Sequence, residues 1–132
     1  NGTFCGYDIY EYDSNGKIKK EESYEVDGSL FDTHIYEYDS DGKWEKFEIY
    51  GAKGEFWGTS ETDYDNNGHH IKSSYYSKTG ELENYQELEW VGDLYIGYKS
   101  YDGSGELLAS TTYEYDEYGN IVTVTINSKD LS

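Results

Sequence analysis

Along most of the chain a large apolar residue stands two positions after a glycine, and an aromatic residue closes the segment six to eight residues later. Ile18, Leu30, Trp44, Phe56, Leu82, Leu94, Leu107 and Ile121 are the openers, and Tyr24, Tyr38, Tyr50, Tyr64, Tyr76, Trp90, Tyr101 and Tyr115 are the closers. Between them polar and apolar residues alternate with the period of two that marks a pleated strand. The intervening glycines, Gly16, Gly28, Gly42, Gly54, Gly68, Gly80, Gly92, Gly105 and Gly119, recur every 12 to 14 residues. Removing about four residues for each turn leaves eight to ten, a strand of about 30 Å. Ten strands are predicted, near residues 6–12, 17–26, 29–38, 43–50, 55–64, 69–76, 81–90, 93–101, 106–115 and 120–126. Opener and closer share a parity, as Leu30 with Tyr38 and Leu107 with Tyr115, so the pattern predicts one better-buried face and one wetter face.

The turns carry a second regularity. Tyr10-Glu11-Tyr12-Asp13, Tyr36-Glu37-Tyr38-Asp39, Thr62-Asp63-Tyr64-Asp65 and Tyr113-Glu114-Tyr115-Asp116 each reach Gly three residues later, and Tyr12, Tyr38 and Tyr64 lie 26 apart. The missing member falls at Leu88-Glu89-Trp90-Val91-Gly92, with a shortened turn. Weaker half-units at Tyr24, Tyr50, Tyr76 and Tyr101 alternate with the tetrads, so each repeat is a double hairpin. Asp or Ser first, Asn, Asp or Ser in the middle and Gly fourth is the chemistry of a type I turn followed by a left-handed residue. The expected fold is all-β: a single domain over residues 1–132, an antiparallel meander of about ten strands in a curled single-layer sheet, with a barrel as the alternative.

Composition changes this picture in one respect. Ile, Leu, Val and Phe total 23 of 132 residues and the net charge is −18, a pairing typical of disorder, yet 17 tyrosines argue for a folded chain with a thin core. All ten cations are Lys and no basic stripe exists, which excludes nucleic acid as a partner and disfavours an anionic membrane surface. No apolar run approaches the length of a membrane-spanning helix, so no membrane insertion is expected. Cys5 is the sole cysteine and makes no internal disulfide; a chain beginning at Asn1 without Met reads as a fragment or a mature form. The final segment, Ile121-Val122-Thr123-Val124-Thr125-Ile126, is uncharged and apolar on both faces, and is expected to be covered by the chain's own curvature or by a neighbouring repeat or domain.

The strings Tyr36-Glu37-Tyr38-Asp39-Ser40-Asp41-Gly42-Lys43 and Tyr113-Glu114-Tyr115-Asp116-Glu117-Tyr118-Gly119-Asn120 resemble the RHS/YD-type repeats of bacterial surface and secreted proteins, and the uncharacterised secreted repeat proteins of gut Firmicutes in particular. The resemblance implies an extracellular or cell-surface bacterial β-repeat protein, part of a larger repeat or surface protein. The toxin-encapsulating role of the longer RHS shells is not implied, because this chain is too short for such a shell.

Candidate chemistry is sparse. Turn sequences such as Asp39-Ser40-Asp41-Gly42 gather oxygens that suit Ca²⁺, but the turn itself requires each of those residues and the terminal Glu of a calcium loop is missing. His69 and His70 are adjacent on a strand, point to opposite faces and cannot chelate one ion together, so no metal is assigned. No nucleophile elbow, zinc-protease motif or phosphate loop is present, so no catalytic residue and no cofactor are assigned. Aromatics outside the repeat's own demand are the remaining lead: Trp57, Tyr85 and Tyr95, expected on the wetter face, form a candidate platform for a glycan or a protein ligand. The functional expectation is a non-enzymatic module that binds such a partner or acts as a spacer. The alternative is an antitoxin or immunity-type repeat protein whose acidic surface neutralises a basic toxin.

Overall fold

The computed structural model describes residues 6–129, and the readings made on Cys5 and Asn1 lie outside them. Ten strands follow one another: β1 (Tyr7–Tyr12), β2 (Ile18–Tyr24), β3 (Leu30–Tyr38), β4 (Trp44–Gly51), β5 (Phe56–Tyr64), β6 (His70–Ser77), β7 (Leu82–Val91), β8 (Leu94–Asp102), β9 (Leu107–Tyr115) and β10 (Ile121–Ser128). They form one antiparallel sheet in sequence order, with β1 and β10 at its two edges, so the sheet is open and not a barrel.

Turn chemistry sets the hairpins. In the β1–β2 turn the N–H of Gly16 donates to the Asp13 carbonyl, and the Asp13 carboxylate accepts the N–H groups of Asn15 and Lys17 at 2.8 and 2.9 Å. Asp65, Asp102 and Asp116 repeat that arrangement, each accepting from the second and fourth residues after it. The tetrad aspartate is therefore a turn residue, holding two backbone N–H groups of the turn with one side chain. The degenerate turn at Gly92 joins Val91 directly to Leu94 by two residues; Gly92 has φ +59° and Asp93 does not, which is the type II′ hairpin.

Eight of the nine hairpins then contain an irregularity that the alternation alone conceals. In seven of them the closing aromatic pairs with the residue two after the glycine, and in β7–β8 Trp90 pairs with Tyr95; the preceding pair has then moved on by two residues, as Tyr12 with Ile18 but Glu11 with Lys20. One extra residue is thereby bulged out near the start of the second strand: Lys19, Phe31, Trp57, Ile71, Glu83, Ile96, Leu108 and Val122. The β3–β4 hairpin alone is regular. The bulge overturns the expectation that opener and closer of one strand share a face: Leu30 sits opposite Tyr24, whereas Tyr38 at the far end of β3 is on the other side with Asp32, His34 and Tyr36. One extra residue reverses the parity of everything after it.

The aromatics consequently divide into two bands. Tetrad rings lie along one end of the strands on one face, and the half-unit tyrosines Tyr24, Tyr50, Tyr76 and Tyr101 lie along the other end on the opposite face, each beside an aliphatic or aromatic opener. Neither face is packed against another layer. Among the described residues no apolar side chain is buried, and the three buried polar residues, Thr62, Ser74 and Thr111, are short side chains in the sheet interior. The chain exposes 8963 Å², where a compact globule of its mass would expose roughly 7,000 Å². The chain's own curvature does not cover the final strand: every residue of β10 is exposed.

Candidate functional site

The tetrad rings are the first candidates, and the polar ends of several are already engaged. Tyr38 donates its hydroxyl to the Ile18 carbonyl at 2.7 Å, Trp90 donates its indole N–H to the His70 carbonyl at 2.9 Å, and Tyr115 donates to the Tyr95 carbonyl, each partner lying 20 residues earlier. Those carbonyls belong to the residues that open a bulge, where the ladder leaves a main-chain group without a strand partner. Trp90 thus replaces the tetrad tyrosine with its donor intact. Tyr64 is the exception with a reason: β4 has no bulge, the Trp44 carbonyl accepts the Asp39 N–H instead, and the Tyr64 phenol turns to Glu45. Tyr36 donates to Glu21 at 2.8 Å; burial first, and the Glu21 carboxylate second, push its phenol pKa well above the ordinary tyrosine value.

A depression of about 730 Å³ lies at this end, lined by Lys17, Lys19, Tyr36, Tyr38 and Asp39 among others. Its ring surface is occupied, because the Lys17 ammonium sits 4.5 Å from the Tyr38 ring centroid. Next along the row, His69 is stacked on Trp90 at 4.5 Å and held by two carboxylates, Asp65 through Nδ1 and Asp93 through Nε2, both at 3.0 Å. The hydrogen bond to Asp65 leads the causes that raise the His69 pKa, and the backbone N–H of His69 leads those that lower the Asp65 pKa. His70 engages Ser73 at 2.7 Å. Each imidazole thus has its own partners.

The three residues singled out as a platform do not meet. Tyr95 belongs to the tetrad row, 5.2 Å from Trp90 and 5.6 Å from Tyr113, because the two-residue turn that pairs Val91 with Leu94 places it opposite Trp90 rather than on the wetter face. Tyr85 is stacked on Tyr101 at 4.7 Å, with the Lys72 ammonium 4.6 Å from its ring, so that ring is already engaged. Trp57 has a different setting. It is a bulge residue, 38% exposed, and stands edge-on to Phe31 at 6.0 Å. Phe31 is the bulge residue of the preceding repeat, 26 positions earlier and 49% exposed. The indole lies where a side chain on Gly51 would be, so the missing side chain of Gly51 gives it room.

Phe31 in turn lines a shallow depression of about 310 Å³ with Tyr7, Tyr24, Asp8, Ser23 and Glu25. Tyr7 is stacked on Tyr24 at 5.0 Å and remains 45% exposed. The half-unit end of the first two repeats therefore carries two ring pairs, Tyr7 with Tyr24 and Phe31 with Trp57, and Phe31 shares its depression with the first pair, two carboxylates and a hydroxyl. In the third and fourth repeats the corresponding bulge residues are Glu83 and Leu108, so the patch is local to one side of the array. Sequence reasoning found Trp57 and missed Phe31 and Tyr7; the signal available was the residue three after each half-unit glycine, aromatic in two repeats and not in the others. Among the described residues no three His, Asp or Glu side chains are grouped to hold a metal ion.

No protein-family model matches the chain, and no curated protein does. Among solved structures, a protein of unknown function from Bacteroides fragilis NCTC 9343 is similar at 14% sequence identity, with 96% of this chain and 94% of that one aligned and a TM-score of 0.46.

Proposed function

We propose that the protein is a non-enzymatic YD-type β-repeat module of the bacterial surface or exterior that binds a glycan on the Phe31 and Trp57 pair. The observation that carries this reading is the pair Phe31 and Trp57: equivalent bulge positions of successive repeats, both aromatic and exposed, their rings held 6.0 Å apart by the ladder. A bulge re-aims a side chain without altering the strands around it, and neither ring has a structural duty like that of the tetrad rings. The apolar face of a pyranose stacks on such rings, while Asp8, Ser23 and Glu25 at the rim can accept its hydroxyl protons.

Glycan-array binding of the purified chain tests it. Wild-type protein is expected to bind a defined set of glycans, Trp57→Ala and Phe31→Ala each to weaken that binding at least about tenfold, the equivalent of 1.4 kcal/mol, and Tyr85→Ala to leave it unchanged. A folded wild-type chain that binds no glycan would contradict the reading and leave a protein ligand or a spacer role. The net charge of −18 favours one such ligand, a basic protein of the toxin type. Binding of that kind would weaken steeply with salt and be indifferent to Trp57→Ala.

A further inference from the structure

Strand β10 is an edge without the usual protection. It pairs with β9 on one side and with nothing on the other, all eight residues are exposed, and Ile126 reaches 70% exposure. From Ile121 to Ser128 it has no charged residue and no Pro, in a chain of net charge −18. The other edge is defended, since β1 carries Asp8 and Glu11. Edge strands are normally blunted by charge or proline because their free N–H and C=O groups template pairing.

The sequence of β10 reads nearly the same from either side of Val124: Val122-Thr123-Val124-Thr125-Ile126. An antiparallel strand pairing with a copy of itself about Val124 sets Val122 against Ile126, Thr123 against Thr125, and Val124 against Val124. Val122 is the bulge residue, so the regular pairs are Thr123 with Thr125 and Val124 with Val124, β-branched with β-branched, hydroxyl on one face and aliphatic on the other, the pairs that favour sheet formation. Such a contact is isologous and closes at two copies. Pairing of β10 with β1 of another copy would instead leave a free edge at each end and grow without limit.

We infer that the β10 edge is a homodimer interface, in which a second copy of this chain continues the sheet across a two-fold axis at Val124 to give twenty strands. The strip is narrow, so association is concentration-dependent. Sedimentation equilibrium of the chain from micromolar to millimolar protein is expected to rise from 15.2 kDa towards twice that mass and no further. Val124→Lys, which sets two ammonium groups at the axis, is expected to weaken the dimer at least tenfold; β10 side chains are exposed, so the fold is retained by circular dichroism. Ile9→Lys at the opposite edge is expected to leave the dimer unchanged. In a Cys5→Ser background, Val124→Cys is expected to form a disulfide-linked dimer on oxidation, whereas Thr123→Cys, whose opposite residue is Thr125, is not. A chain that stays at 15.2 kDa throughout, a ladder of masses beyond the dimer, or a dimer sensitive to Ile9→Lys but not to Val124→Lys would overturn the inference.

Discussion

At the scale of single residues, the His69 clamp gives the molecule a pH dependence with a defined sign. The His69 pKa is raised, chiefly by its hydrogen bond to Asp65, so the imidazolium form is favoured by folding. That contribution is fully present below the unfolded histidine value of about 6.5 and is lost as pH rises through the higher folded value. The Asp65 pKa is lowered, so its contribution is present above about 3.9 and is lost as pH falls through the lower folded value. Both hold between those limits. The difference in urea midpoint between wild type and His69→Gln should therefore be largest near pH 5 to 6 and shrink as pH rises above neutrality. A difference that does not vary with pH would remove the charged clamp and leave only the stacking on Trp90.

At the scale of the strand and hairpin, the eight bulges organise both the fold and the candidate site. Three of them free the carbonyls of Ile18, His70 and Tyr95 that the tetrad rings of the next repeat satisfy, and two others turn Phe31 and Trp57 outward. Replacing Tyr38 by Phe leaves the Ile18 carbonyl without its donor and should cost about 1 kcal/mol, read as a lowered denaturation midpoint. Tyr113→Phe, at a ring that makes no such hydrogen bond among those described, should be close to neutral. Equal costs would show that the ring, not the hydroxyl, carries the tetrad's role. Strand limits were legible in the sequence to within a few residues because each glycine marks a turn whose chemistry is local. The faces were not, because a bulge inserts a residue without changing composition or period: Ile18 and Ile121 still stand two after their glycines, yet Lys19 and Val122 break the alternation behind them. Tyr95 was misassigned because the shortened turn at Gly92 puts the third residue after the glycine, not the second, opposite the closing aromatic. Trp90 was placed correctly because the 26-residue period survives its altered turn.

At the scale of the whole molecule, the sheet is a quasi-one-dimensional array in which every strand packs only against its sequence neighbours. With no second layer, the usual source of stability is missing. The ladder, the cross-strand ring pairs at 4.7 to 5.6 Å and the ring-to-carbonyl hydrogen bonds supply it instead. The 17 tyrosines are the compositional trace of that solution, since a half-exposed ring with a polar end suits a surface that is never fully dry. The heat-capacity change of unfolding, by scanning calorimetry, tests this most directly because it follows the apolar surface released. A compact domain of this length would give about 1.6–2.0 kcal/mol/K. The coreless single sheet predicts a value well below that range, and a value within or above it would show that the chain buries a hydrophobic core.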